Sequence, residues 1–394
     1  MHILCTNGTP TVNTLDHLPS FPLFIDYRDT NATISQQDEV AIRHALLFQD
    51  RVSHIHLHLP ASILNKFLML MKESFIMLER LSLSSSTQED LRLVLPNTFL
   101  ATNLSYLALL GIDFPKRLRF LSSTVSLVSL ILTITRPSGY FLPRLLVARL
   151  RSLPQLEELT IEFSFPIPRP SAERELSDKR GTPVTLPNLK YLRFQGVSAY
   201  MECLVAQVRV PLLKRLDLTL FNQIAFVLTH LSHLIITTEV IKLTTTTLFF
   251  GNKDFTITGN QRYGGPFTLR VICTELDWQI DCAAQICSAL IRTLSGVQTL
   301  KLDFDGLTMP TRWQNGEIDG TTWHELLRSF IGVNELHICG ALSQELARAL
   351  QVNGVGADPG LLPDLRRIVI QFFGSLLDPF IRARQVAGRP VCLR

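Results

Sequence analysis

Residues 104–109 read Leu-Ser-Tyr-Leu-Ala-Leu, a segment of the form L-x-x-L-x-L. The pattern returns at 127–132 as Leu-Val-Ser-Leu-Ile-Leu and at 156–161 as Leu-Glu-Glu-Leu-Thr-Ile. The apolar residues of each L-x-L part alternate, which turns both side chains to one face of a β-strand. A single copy carries little weight in a leucine-rich chain, but its recurrence indicates a structural repeat.

The copies cover most of the chain. Between the first and the last lie 313 residues in eleven intervals, so the mean period is about 28 residues, near the upper end of the leucine-rich-repeat range. Segments with helical spacing separate them, for example Ile63, Leu64 and Phe67. The copies begin at Val52, Leu78, Leu104, Leu127, Leu156, Leu189, Leu213, Leu231, Val297, Val333 and Leu365, with a degenerate copy near Leu269.

This pattern predicts an α/β fold, a leucine-rich-repeat solenoid (horseshoe) with irregular repeats. Parallel strands would line the concave face and helices the convex face, because one strand and one helix cannot bury their apolar faces alone. We expect an irregular segment at 1–20 and a single solenoid over 21–394, with loop insertions near 165–185 and 251–265, the second of which could also be a small hairpin. One buried ladder should contain Leu81, Leu107, Leu130, Leu159, Leu192 and Leu216.

Composition narrows the class of protein. Of the 394 residues, 46% are hydrophobic and 18% charged, which argues against a disordered chain. The run 120–135 is short for a membrane helix of about 20 apolar residues, so no membrane association is expected. Seven cysteines without CxxC spacing indicate buried thiols in a reducing compartment. Residues 1–10 lack a signal-peptide pattern, and we therefore expect a cytoplasmic or nuclear protein.

Several stretches resemble a known family. The chain is similar, over roughly residues 20–394, to the leucine-rich-repeat region of the F-box-like proteins of mushroom-forming fungi (basidiomycetes). These are packing signatures, so they point to the family more than to a mechanism. The similar stretches are PLFI at 22–25, RVxxIxL at 51–57, LDWQ at 276–279, AQIC at 284–287, WxxLLxxFxxVxxL at 323–336 and FIxARQxxGxPV at 380–391.

The resemblance implies a substrate-recognition part of a ubiquitin ligase receptor. Members of the family usually begin with an F-box, a helical module that docks on the Skp adaptor of a cullin-type ligase. Before Pro22 we find no leucine–proline start followed by a set of amphipathic helices, and twenty residues are too few to hold one. Binding of the Skp adaptor is therefore expected only if an F-box is encoded upstream.

Motifs for catalysis or metal binding are weak. His54, His56 and His58 alternate along one strand, but such positions span about 13 Å, too far for all three to reach one ion. Cys282 and Cys287 could pair with His324, although buried helix packing explains both thiols better. We predict no catalytic, cofactor-binding or metal-binding residue and a protein that is not an enzyme. The alternative of an enzyme with an unrecognised site among the inter-repeat loops stays open.

The candidate site is the concave face. Its polar positions carry both signs of charge, which favours a protein ligand over a polyanion. A nucleic-acid-binding solenoid remains the other alternative, but it would need lysines and arginines aligned on one face. Trp313, in a polar loop, is a candidate loop contact. The candidate concave contacts are His54, His56, Ser82, Thr160, Arg193, Asp217, Lys301 and His337.

Local signals mark helix ends. Ser35 with Asp38 and Thr322 with Glu325 have capping-box spacing. At the C-terminus, 375–384 should form a capping segment that is at least partly helical. Pro379 within it is tolerable only in a first turn, so the helix should start late. Solvent should surround the final charges, at Arg382, Arg384, Arg389 and Arg394.

Overall fold

A computed structural model shows two compact units, 1–196 with 206–213 and 197–205 with 214–394. We call them unit 1 and unit 2. Each contains strands joined by helices or loops. The structure describes residues 3–8, 15, 21–28, 34–86, 91–113, 119–166, 176, 182–238, 243–259, 267–273, 276–304, 320–343, 346–347, 350, 361–370 and 377–394.

Unit 1 contains a sheet of eight neighbouring parallel strands. Along each, buried apolar residues alternate with more exposed positions, as the L-x-L pattern predicts. The strands are β1 (Ile3–Cys5), β2 (Leu23–Arg28), β3 (Val52–Leu59), β4 (Arg80–Ser85), β5 (Tyr106–Leu110), β6 (Ser129–Ile134), β7 (Glu158–Phe163) and β9 (Tyr191–Gly196). A separate parallel pair joins β8 (Val184–Thr185) to β10 (Val208–Arg209).

The leucine ladder is confirmed within unit 1. Leu81 pairs in register with Leu107, Leu107 with Leu130, Leu130 with Leu159 and Leu159 with Leu192. Each is at most 1% exposed, so the ladder forms the centre of the core. The sixth predicted member, Leu216, is equally buried but belongs to unit 2.

Helices of unit 1 connect its strands. The described ones are α1 (Gln36–Ala45), α2 (Ala61–Leu68), α3 (Arg119–Ser123) and α4 (Pro143–Leu150). The predicted cap of α1 is confirmed: the Ser35 hydroxyl accepts a hydrogen bond from the Asp38 backbone N–H at 3.0 Å.

The segment 1–20, expected to be irregular, contains a strand. Ile3–Cys5 pairs with Leu23–Ile25, and the Gly8 N–H donates to the Asp38 carboxylate at 2.8 Å. The sequence did not indicate this strand, because three residues are too few for an alternating pattern to be recognised. The expected loop near 165–185 likewise ends in a strand, β8.

Unit 2 has eight strands in the order β11-β14-β13-β12-β15-β16-β17-β18. Of its seven neighbouring pairs, the two that involve β13 are antiparallel and the other five are parallel. The strands are β11 (Arg215–Phe221), β12 (Thr245–Phe250), β13 (Asp254–Gly259), β14 (Phe267–Ile272), β15 (Thr299–Phe304), β16 (Glu335–Ile338), β17 (Arg367–Ile370) and β18 (Cys392–Leu393).

One strand prediction for unit 2 was wrong. The copy beginning at Leu231 is a helix, Thr229–Thr237, because Leu231, Leu234 and Ile235 fit one helical face as well as a strand pattern. The strand of that repeat is instead Thr245–Phe250, which lacks the leucine spacing and is rich in β-branched threonine. The segment near 251–265, expected to be a loop or a small hairpin, contains strand β13, which pairs antiparallel with β12 and β14 as in a hairpin.

Unit 2 has six described helices, and the last of them overlaps the predicted C-terminal capping segment. They are α5 (Ser198–Val205), α6 (Thr229–Thr237), α7 (Leu276–Ala289), α8 (Ile291–Leu294), α9 (Gly320–Arg328) and α10 (Asp378–Val386). Helix α9 begins two residues before Thr322, so the capping box predicted there was wrong. Helix α10 confirms the late start, with Pro379 in its first turn.

Arg384 departs from the predicted solvent position. Its side chain is 1% exposed, and its Nη2 donates to the carbonyls of Pro363 and Leu365 at 3.3 and 3.1 Å. The helix turns this arginine inward, where it ties α10 to the segment before β17. In the described part of the chain, no helix is long and apolar enough to span a bilayer.

Candidate binding face

The open face of unit 1, which we call the unit 1 face, consists of side chains that alternate with the buried leucines. Strand register arranges them in three rows. Row one contains Phe24, His54, Arg80, Tyr106, Ser129, Glu158 and Tyr191. Row two contains Asp26, His56, Ser82, Ala108, Ile131, Thr160 and Arg193. Row three contains Arg28, His58, Ser84, Leu110, Thr133, Glu162 and Gln195.

Row one begins with two aromatic contacts across neighbouring strands. The rings of Phe24 and His54 lie 3.9 Å apart, centroid to centroid. The Arg80 guanidinium lies 4.5 Å from the centroid of the Tyr106 ring, a cation–π geometry. Four adjacent strands thus present two stacked pairs side by side, which limits the rotamers that these side chains can adopt.

Rows two and three begin with a charged cluster. Asp26 forms a salt bridge with Arg28 at 3.1 Å and lies 3.5 Å from Nδ1 of His56. Burial lowers the pKa of His56, Arg28 lowers it further, and Asp26 acts in the opposite direction. His58 Nδ1 lies 2.8 Å from the Ser84 hydroxyl. The three histidines therefore each have a different partner.

The other side of the face is acidic. Ser129 donates to Oε2 of Glu158 at 3.1 Å, and Thr133 donates to Oε2 of Glu162 at 3.2 Å. Glu162 also forms a 2.7 Å salt bridge with Arg193. Hydroxyl groups on β6 thus hold both carboxylates of β7 in place.

Between these charged regions the face is apolar. Leu110 is 38% exposed, and Ala108 and Ile131 on the neighbouring positions are half-buried. An apolar centre with polar surroundings is typical of protein interfaces.

The predicted contact residues are divided between the unit 1 face and strands of unit 2. His54, His56, Ser82 and Arg193 lie on the unit 1 face with accessible side chains, whereas Thr160 is only 8% exposed because its neighbours cover it. Trp313 lies outside the described residues. The remaining three, on unit 2 strands, are Asp217, Lys301 and His337.

Sequence reasoning missed most of row one. Phe24, Arg80, Tyr106, Glu158 and Tyr191 were not among the predicted contacts. Four of them precede the first buried residue of their strand by one position, as Tyr106 precedes Leu107, whereas Phe24 lies between the buried residues Leu23 and Ile25. Extending the alternation by one step towards the N-terminus of each L-x-L segment would have found them.

Several charges at the corresponding positions of unit 2 are paired with one another. Asp217 forms a salt bridge with Arg215 at 2.8 Å, and Glu335 contacts both His337 and Arg367. Lys301 is exposed. The neighbouring positions on β12, β13 and β14 are occupied by Thr247, Thr258 and Thr268, which pair across the strands.

The cysteines of α7 have the wrong chemistry for a nucleophile. The pKa of Cys282 is raised, first by a hydrogen bond with Cys273 and then by burial, and burial raises the pKa of Cys287. Cys282 also donates to Oδ1 of Asn222 at 3.4 Å. A catalytic cysteine needs a lowered pKa. Among the described residues, no group of three or more histidine, cysteine or carboxylate side chains could hold a metal ion.

Parallel strands in register, buried leucines on most of them and helical or loop connections are the features of a leucine-rich-repeat fold. No family model and no curated protein matches the sequence. Among solved structures, the chain is similar to one in the crystal structure of a TLR13–ssRNA13 complex, with 12% identity and a TM-score of 0.36. The match covers 95% of this chain and 47% of that one, so the chain spans about half of its length.

Proposed function

We propose that the unit 1 face binds a polypeptide segment and that the protein is a recognition module without catalytic activity. The observation that carries this proposal is row one, where aromatic and arginine side chains stand next to one another on adjacent strands. Tyrosine and arginine are among the residue types that dominate binding energy at protein interfaces. Stacking of Arg80 on Tyr106 reduces the entropy that would be lost on binding.

The charge balance of the face supports a polypeptide ligand. Its three rows contain three carboxylates and three guanidinium groups, so neither sign dominates. A nucleic acid would require cations that follow a phosphate backbone. The charged residues are Asp26, Glu158, Glu162, Arg28, Arg80 and Arg193.

The finer role that we propose is substrate recognition for an F-box-type ubiquitin ligase, in the cytoplasm or nucleus. The similarity of residues 20–394 to the leucine-rich-repeat region of basidiomycete F-box-like proteins supports it. In such a receptor the face would select the substrate, and an F-box would provide the link to the Skp adaptor.

Selection from a random twelve-residue peptide library displayed on phage tests polypeptide binding. The immobilised protein should enrich peptides whose binding can then be measured by fluorescence anisotropy. Tyr106→Ala should weaken that binding about tenfold, equivalent to about 1.4 kcal/mol, because it removes a stacked hot-spot side chain.

Phe48→Ala is the matched control. It also removes an aromatic ring under an arginine, with Arg51 5.3 Å from the ring centroid, but Phe48 lies outside the strands of the face. Its affinity should equal that of the wild type. If no peptide is enriched, or if both variants weaken binding equally, the unit 1 face is not the polypeptide site.

A further inference from the structure

We propose that the bound segment carries a carboxylate and a cation about four residues apart. The carboxylate binds Arg80, and the cation binds Glu158. This inference rests on the proposed function, because it specifies the ligand of the same face. It concerns an extended polypeptide that runs across strands β4 to β7 along row one.

The first step is the pairing of charges on the face. Asp26 pairs with Arg28, and Glu162 pairs with Arg193. Among the described residues, neither Arg80 nor Glu158 takes part in a salt bridge. Both are exposed. The face thus satisfies four of its six formal charges internally and leaves one of each sign for a ligand.

The second step is their placement. Register connects Arg80 to Tyr106, Tyr106 to Ser129 and Ser129 to Glu158, so both charges stand in one row, three strand spacings apart. At about 4.8 Å per strand this is about 14 Å. An extended peptide advances about 3.3 Å per residue, so about four residues connect the two contacts.

The third step is the orientation of each group. The Tyr106 ring stacks against the Arg80 guanidinium, whose edge can then offer two N–H donors to a carboxylate. Ser129 donates to Oε2 of Glu158. The second carboxylate oxygen of Glu158 can accept a hydrogen bond from a lysine or arginine of the ligand. Ala108 and Ile131, in row two, would contact an apolar side chain between the two charges.

The same phage-displayed library, with sequencing of the enriched peptides, tests the charge pattern. The wild type should enrich peptides with an acidic and a basic residue about four positions apart. Arg80→Glu leaves two carboxylates in the row, so it should enrich two basic residues at that spacing. Glu158→Lys should enrich two acidic residues. This readout holds for either direction of the peptide backbone.

Lys72→Glu and Glu73→Lys are the matched controls, since both residues are exposed and lie between α2 and β4, off the face. They should enrich the wild-type pattern. Two results would overturn this inference and leave polypeptide binding intact. In the first, the enriched peptides need Tyr106 for binding but contain no charge pair. In the second, Arg80→Glu and Glu158→Lys enrich the same charge pattern as the wild type. Failure to enrich any peptide would overturn both.

Discussion

The Glu202 carboxylate caps helix α6 at Leu231: Oε1 accepts the Leu231 backbone N–H at 2.8 Å, and Oε2 accepts that of His230 at the same distance. Glu202 is 6% exposed and belongs to α5, the preceding helix. A carboxylate at a helix N-terminus satisfies N–H groups that have no partner within the helix. One side chain therefore fixes the start of α6 relative to α5.

Glu202→Ala should destabilise unit 2 by about 2–3 kcal/mol, because it leaves two N–H groups without an acceptor. Urea denaturation followed by circular dichroism measures the change. The control is Glu325→Ala, on the exposed surface of α9, which should change stability by about 0.5 kcal/mol or less. Equal effects of the two substitutions would show that the cap contributes no more than an ordinary surface glutamate.

The leucine ladder permits a comparison within one strand. Leu107 is fully buried and Leu110, three residues later, is 38% exposed. Leu107→Ala should cost about 2–5 kcal/mol through lost burial and a residual cavity. Leu110→Ala should cost about 0.5 kcal/mol or less. Denaturation midpoints that shift alike would contradict the assignment of Leu107 to the core.

Arg384 gives a second matched comparison. Arg384→Ala should destabilise the C-terminal part of unit 2 by about 2–3 kcal/mol, since the part-buried carbonyl of Pro363 and the buried carbonyl of Leu365 lose their donor. Arg382→Ala changes an exposed arginine of the same helix and should be nearly neutral. Hydrogen exchange of 361–370 should accelerate only in the Arg384 variant. Unchanged exchange there would mean that the guanidinium does not hold this segment.

Alkaline pH should weaken unit 1. Burial raises the pKa of the Cys5 thiol from 9.0 to about 11, against the opposing influence of Arg51. Above pH 9 the unfolded chain loses this proton while the folded chain keeps it until about pH 11. The unfolded state then binds fewer protons, so stability falls as pH rises, by roughly 2–3 kcal/mol in total.

Urea midpoints measured at pH 8 and pH 10 test this dependence. Cys5→Ala should show a smaller loss between the two pH values than the wild type. A residual loss is expected because burial also raises the pKa of Tyr27, in the same unit. An identical loss in the variant would rule out the thiol as its source.

The fold could be predicted where alternation and leucine spacing agree, as at Leu107 and Leu130. Prediction failed where one apolar pattern fits two structures. Leu231, Leu234 and Ile236 match L-x-x-L-x-L, but Leu231, Leu234 and Ile235 also match a helix, and Glu202 supplies the cap that no local pattern reveals. Such long-range contacts are invisible in the spacing of residues.

The site was predicted only in part for a related reason. Alternation identified His54, His56 and Arg193 as outward positions. It was not extended to Arg80 and Glu158, which precede the ladder residues Leu81 and Leu159 by one position and therefore share a row. Nor could it show that Glu162 is neutralised by Arg193, a contact between residues that are far apart in the sequence.

The ligase role makes a prediction about the Skp adaptor. In the family that the chain resembles, the F-box and not the repeat region docks on the adaptor, so we expect the chain without an added F-box to form no complex with purified adaptor in size-exclusion chromatography. Fusion of an F-box before Pro22 should produce a one-to-one complex while leaving peptide binding by the unit 1 face unchanged. Adaptor binding by the unfused chain would show that residues 1–60 already contain the docking element, and the sequence interpretation of that region would then be wrong.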